Sequence, residues 1–303
     1  MKVLDYIFAA RPMLQLPIWS VYLVSLHFHS ELSGDRFSWN DLLIMAGISL
    51  IFSGAAYLNQ VFDFETDRIN NKVGFLQRGF LDQTGLLRWC LVLMAVPLLI
   101  SPLLSWLAMF IAAQLVLLSI LYSTPPFRMK DRMLGGFFAN AWGHGFLVCL
   151  AIMPDMTLHN AGLLGWDNPF YFFLAVGATY ILTTIPDRVG DAASGKRTVA
   201  VVMGRNGALA VAAVLLGLAD LVAWHSGYLL LSILAVIGVL FVLAALVIKN
   251  ETSVRLAAKV PLLLLTLLAA YWYPVYLVFV VALLILTRAY YRRRFDLVYP
   301  ELA

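Results

Sequence analysis

The chain has 303 residues, of which 62% are hydrophobic and only 13% charged, with a formal net charge of +4. A water-soluble domain is about 45–50% apolar and about 25% charged, so this composition argues against a soluble enzyme and for an all-α, polytopic membrane bundle. The small positive excess gives no reason to expect a nucleic-acid partner, because the basic residues lie between apolar runs, where membrane topology accounts for them.

Taken in order, the apolar runs cover about 14–31, 41–63, 86–104, 105–123, 134–153, 169–186, 207–225, 228–248 and 255–290. The first follows Arg11-Pro12 without a small-residue cleavage site and reads as a retained span. The last is too long for one ordinary crossing. Tyr271-Trp272-Tyr273-Pro274 can turn the chain at the interface, where aromatic residues gather. The expected count is therefore about nine transmembrane helices, ten being possible, and the whole of 1–303 reads as one domain. Cys90 and Cys149 fall inside apolar runs and read as small core residues, not as a disulfide or zinc framework.

Lys and Arg set the orientation. They cluster before span one and after spans two, four, six and eight, while the alternate loops hold only Arg36. The positive-inside rule places the N-terminus and these basic loops in the cytoplasm. Arg292-Arg293-Arg294 would also prefer that side, which favours ten spans.

Two acidic clusters fall at the cytoplasmic ends of spans. Asn59, Asp63 and Asp67 are spaced i, i+4, i+8, and about 100° per residue puts all three on one face of a helix. Glu65 is on another face. Asp187 and Asp191 repeat the i, i+4 spacing after span six, with Gly190, Gly195, Lys196 and Arg197 alongside. Taken alone, such a group is as well explained by a solvated helix end. Two sets of oxygen ligands facing each other suit Mg²⁺, which commonly takes one or two carboxylates together with substrate phosphates. Between them, Tyr122-Ser123-Thr124-Pro125-Pro126-Phe127-Arg128-Met129-Lys130 puts Arg128 and Lys130 on the same side. Cations there can neutralise phosphate or serve only as topology signals. Asn140 and His144, i, i+4 in span five, could touch a polar substrate. The other histidines show no metal spacing, and Asp220 within span seven reads equally well as a buried acid satisfied by a neighbour.

Together these stretches resemble the UbiA superfamily of intramembrane prenyltransferases. Asn59-x-x-x-Asp63-x-x-x-Asp67 is similar to its first aspartate-rich motif, and Asp187-x-x-x-Asp191 with Gly195-Lys196-Arg197-Thr198 to its second. The Tyr122–Lys130 stretch resembles the segment between them, and Arg11-Pro12 also fits. The resemblance implies a nine-helix bundle around a central cavity, with the motifs over its cytoplasmic mouth and a lateral opening to lipid. It implies Mg²⁺-dependent transfer of an isoprenyl group from a prenyl diphosphate donor to a hydrophobic or aromatic acceptor. Asn59, Asp63, Asp67, Asp187 and Asp191 would hold Mg²⁺ and the diphosphate. Arg68, Lys72, Arg128, Lys130 and Lys196 are candidates for diphosphate contacts, and Tyr122 for positioning the donor or steadying the allylic cation. In one place the pattern departs: many members have Arg-Pro after the first motif, and here the chain reads Asn71-Lys72-Val73-Gly74-Phe75-Leu76-Gln77-Arg78-Gly79. The rival reading is a cation-coupled transporter. Transporter acids tend to lie at the bilayer midplane, whereas these lie at cytoplasmic ends beside basic loops.

Overall fold

The computed structural model describes residues 1–34, 36–69, 74–153 and 166–300, save the side chains of Leu32 and Ile69. Among them, every extended element is helical: α1 (Lys2–Ala9), α2 (Gln15–Ser33), α3 (Trp39–Ile69), α4 (Gln83–Leu104), α5 (Trp106–Ser123), α6 (Met133–Leu150), α7 (Asp167–Thr184), α8 (Arg188–Ala193), α9 (Val199–His225), α10 (Leu229–Ile248), α11 (Glu251–Trp272) and α12 (Pro274–Phe295). Among the described residues, nine stretches are long and apolar enough to cross a membrane, counting α1 with α2 as one. α7 is a further long helix, less apolar because Asp167 and Asn168 open it. The run 255–290 resolves into α11 and α12, with Tyr273 between them and Pro274 at the first helical position, where a missing N–H costs nothing.

The helices outrun the apolar runs where polar ends continue them. α3 has 31 residues, about 46 Å at 1.5 Å per residue, against a hydrocarbon layer of about 30 Å. Its length therefore exceeds that layer, and its last turns, at and past the end of the apolar run, carry Asp63 and Asp67. α9 begins at Val199, not 207, and Gly204 (φ 71°) breaks it into a short first turn and a span. Starts are fixed by local caps: Asp82 accepts from the Gly85 N–H at 2.6 Å, Ser105 from Ala108 at 3.0 Å and Asn250 from Ser253 at 2.7 Å.

Three apolar clusters hold the bundle. The largest joins α2, α3, α5, α6 and α7 to α9–α12. A second lies among α7, α9, α10 and α11. The third packs α1, the end of α3, the 74–82 segment, α4 and α12. α6 contains a π-helical turn, Ala141–Leu147, of the kind often found at functional sites. At Gly145 it lies so close to the Phe172 carbonyl of α7 that a side chain has no room. Gly145→Val should accordingly force α6 and α7 apart and cost about 1–3 kcal/mol, read as a lower thermal midpoint in detergent; an unchanged midpoint would show that this approach is not needed. Two of the polar residues singled out inside the spans have local partners. Ser232 donates to Asp220 at 2.5 Å, and His27 stacks on Trp272 with centroids 3.7 Å apart.

Candidate active site

The ends of α3, α5 and α7 meet on one side of the bundle, and basic loops tie them together. From the turn after α5, the Lys130 Nζ donates to Asp63 Oδ1 at 2.6 Å and to Asn59 Oδ1 at 2.7 Å. Its side chain is only 8% exposed. Arg128 Nε donates to Asp131 at 2.6 Å, and its NH2 group reaches Asp63 at 3.4 Å. Arg128 itself sits in the left-handed region (φ 39°), which side chains rarely adopt. Ser123, fully buried at the end of α5, donates to Asn59 Oδ1 at 3.5 Å.

The second acidic motif is built differently. α7 ends at Thr184, Pro186 lies in the turn, and Asp187 is the residue ahead of α8. Asp191 lies on α8, half-buried, with Lys196 Nζ 3.1 Å from its Oδ1. Gly195 (φ 75°) lets the chain reverse so that the Lys196 N–H returns to the Asp191 carbonyl at 2.9 Å. The next residue closes the circuit: the Arg197 N–H donates to the Asp131 carbonyl at 2.8 Å, and Arg132 and Arg197 pair as a short parallel bridge. Backbone hydrogen bonds thus join the loop after α5 to the loop after α8.

The two lysines feel this crowding in opposite senses. Burial works against the charge of Lys130 and lowers its pKa, with Asp63 opposing only in part. Burial also works against Lys196. There the hydrogen bond and charge of Asp191, joined by Asp63 and Asp131, win and raise its pKa. Lys196 thus lies within the field of both acidic motifs.

Below Asn59 opens a cavity of about 220 Å³, lined among others by Arg11, Gln15, Phe52, Tyr122, Asn140 and His144. A second cavity of about 270 Å³ adjoins it, sharing Leu14, Ile18, Asn140 and His144, and runs between α2, α7 and α11. The π-helical turn carries His144, stacked on Phe52 at 4.2 Å, into the wall between the two. Asn140 is tied back to the Gly136 carbonyl at 2.9 Å.

Of the residues singled out from the sequence, Asn59, Asp63, Arg128 and Lys130 come into contact, Asp191 and Lys196 pair beside them, and Tyr122, Asn140 and His144 line the cavity. Asp67 lies on the last turns of α3, half-buried, and Asp187 is exposed. Both have interactions of their own. Arg68 turns the other way: it pairs with Glu65 at 2.8 Å, both well exposed. Lys72 lies outside the described residues. The pattern did not single out Asp131, Ser123 or Gln15, because nothing local marks them. Among the described residues no three His, Cys, Asp or Glu side chains converge tightly enough to hold a metal on their own. The carboxylates instead converge through ammonium groups.

With this geometry in place, comparison with known proteins gives a consistent picture. The model of the UbiA prenyltransferase family matches residues 18–260. Digeranylgeranylglyceryl phosphate synthase of Thermococcus gammatolerans is 30% identical over 182 residues, 60% of this chain and 63% of that protein; the match thus spans less than two thirds of that relative's length. A solved structure of digeranylgeranylglyceryl phosphate synthase superposes with a TM-score of 0.66 at 19% identity, covering 88% of this chain and 96% of that one. A UbiA homologue from Archaeoglobus fulgidus, bound to GPP and Mg²⁺, superposes with a TM-score of 0.65 at 15% identity, over 88% and 99%. At these identities the structural likeness is one of fold.

Proposed function

We propose that this chain, which belongs to the UbiA prenyltransferase family, is an integral-membrane enzyme that moves an isoprenyl group from an allylic prenyl diphosphate to a hydrophobic or aromatic acceptor. The observation that carries the reading is the meeting of both acidic motifs with three basic side chains over one cavity: Lys130 on Asn59 and Asp63, Arg128 on Asp63, and Lys196 on Asp191. Anionic oxygens and cations packed at the edge of an apolar hole suit a molecule with a polyanionic head and a hydrocarbon tail. The relatives named as prenylglyceryl phosphate synthases, and the homologue bound to GPP and Mg²⁺, support it.

The residues fit a hard divalent cation. Asn59, Asp63, Asp67, Asp187 and Asp191 offer oxygen donors only, the set Mg²⁺ prefers, and Asn59, Asp63 and Asp191 already draw ammonium groups to their oxygens. When bound there, Mg²⁺ would neutralise diphosphate charge and so make it a better leaving group. The protein's own part follows from chemistry. Lys130, Arg128 and Lys196 turn from the carboxylates to phosphate oxygens and hold the head group as it departs. The C1–O bond breaks with its electron pair leaving on the diphosphate. Tyr122 and the apolar walls keep water from the allylic cation, the acceptor bonds to C1, and its proton passes to a diphosphate oxygen. The basic loops at this end of the bundle support an orientation with it and the N-terminus on the cytoplasmic face of the cell membrane.

The test is binding of geranylgeranyl diphosphate to the purified protein, with Mg²⁺ and then with EDTA. Tight binding that EDTA abolishes is expected. Absence of binding under both conditions, in protein shown to be folded, would favour a cation transporter.

A further inference from the structure

The cations of the site are nearly all engaged with carboxylates, but Arg11 is not. Arg128, Lys130 and Lys196 have Asp63, Asp131 and Asp191. Arg11 lines the same cavity as Asn59, yet among the described residues it makes no ion pair. The neutral phenols of Tyr291 and Tyr299 lie near enough to feel its charge.

Its backbone is also unusual. Arg11 has φ 53° and ψ 59°, a left-handed conformation that a residue with a Cβ seldom keeps unless its surroundings impose it. Here they do. α1, which ends at Ala9, is pinned to α3 by the Tyr57 hydroxyl on the Tyr6 carbonyl and by Gln60 Nε2 on the Ala9 carbonyl, each at 2.7 Å. It is pinned to α12 by Asp5, almost fully buried, which accepts from Arg294 twice at 2.9 Å and from Tyr290 at 2.5 Å. Arg294 in turn lies over the Phe80 ring at 3.4 Å. The chain after Arg11 is equally constrained, by Pro12 and by the Leu14 N–H on the Arg11 carbonyl at 2.9 Å. Most of this clamp lies outside residues 18–260, where the family model matches.

Four residues beyond Arg11 is Gln15. It is 5% exposed, it lines the cavity, and its Oε1 is buried with no hydrogen-bond donor. Buried carbonyl oxygens are nearly always satisfied, and an amide oxygen can take only an N–H or O–H. The side chains therefore offer a cation at Arg11 and, four residues on at the start of α2, an acceptor for a hydroxyl, both lining one cavity.

We infer that Arg11 and Gln15 form the acceptor site: the second substrate is an anionic hydroxy compound, its phosphate or carboxylate on Arg11 and its hydroxyl on Gln15 in the cavity. The inference rests on the prenyl-transfer reading above. It differs from the donor site in its cation. A prenylglyceryl phosphate and a hydroxyaryl carboxylate share this chemistry, and separate arms of one experiment tell them apart.

The experiment uses the full chain, wild type, R11Q, R11K and Q15L. Geranylgeranyl diphosphate binding with Mg²⁺ is measured first; its failure in wild type counts against the prenyl-transfer reading itself. Transfer is then measured to geranylgeranylglyceryl phosphate, to 4-hydroxybenzoate, and to geranylgeranylglycerol, which lacks the phosphate. One of the two anions should be prenylated at least tenfold better than the neutral alcohol. R11Q should raise its KM about 30- to 100-fold with kcat within threefold and donor affinity unchanged. R11K should recover about tenfold of that, and Q15L should raise KM about tenfold. The inference is overturned if the neutral alcohol serves as well, if neither anion is used while the donor binds, if R11Q leaves KM unchanged, or if R11Q weakens the donor as much as the acceptor.

Discussion

Asp63→Ala should reduce prenyl transfer on the order of 10³-fold, equivalent to about 4 kcal/mol of transition-state stabilisation, in a protein that still inserts and purifies. Asp63 is the residue on which the site converges: Lys130 and Arg128 both reach it, and Lys130 also draws in Asn59. Its loss removes a carboxylate for Mg²⁺, leaves the buried Lys130 without its anion and leaves Arg128 with Asp131 alone. Asp63→Asn separates these effects, because the amide keeps the shape and one accepting oxygen but not the charge. Both variants should fail to bind geranylgeranyl diphosphate in a Mg²⁺-dependent way, while only Asp63→Ala should lower the thermal midpoint. Asp191→Ala should lose transfer to a similar degree from the other motif. Near-normal turnover in any of the three would show that the acidic motifs do not carry the chemistry.

Lys130→Met should separate metal binding from donor binding. The ammonium of Lys130 occupies oxygens of Asn59 and Asp63 at 2.6–2.7 Å, where a divalent cation would compete for them. Without it, Mg²⁺ should bind the donor-free protein about tenfold more tightly, since one like charge a few ångströms away has gone. The donor should bind about 100-fold more weakly, having lost a charge-assisted hydrogen bond of about 1.5–3 kcal/mol. Calorimetric titration with Mg²⁺ alone, then with geranylgeranyl diphosphate at saturating Mg²⁺, reads both. A fall in Mg²⁺ affinity would mean that Lys130 organises the metal ligands and does not compete with the ion.

Much of this was legible in the sequence, for identifiable reasons. Long apolar runs can satisfy their backbone in lipid only as helices, so the spans follow from composition. Asn59 and Asp63 share a helical face by spacing alone, and Asp191 needs only its own turn. The rest depends on contacts that no local pattern encodes. Arg68 looked available, but its i, i+3 neighbour Glu65 takes it outward. The apolar runs 41–63 and 207–225 are shorter than the helices, which run on to Ile69 and start at Val199, because a helix continued by polar residues leaves no trace in an apolar run. Arg11 is positioned by Asp5 and Arg294, 289 residues apart, and Asp131 by a backbone bond from Arg197.

The overshoot of α3 beyond the hydrocarbon layer has a thermodynamic consequence. The proposed prenyl transfer, placed at that boundary, would yield two products with opposite solubility: diphosphate, which belongs to water, and a prenylated compound, which belongs to the bilayer. Each would leave into its own phase, so neither would accumulate beside the other and the reverse reaction would need both to return at once. Turnover would then respond separately to what consumes diphosphate in the aqueous phase and to what draws the product away through the membrane.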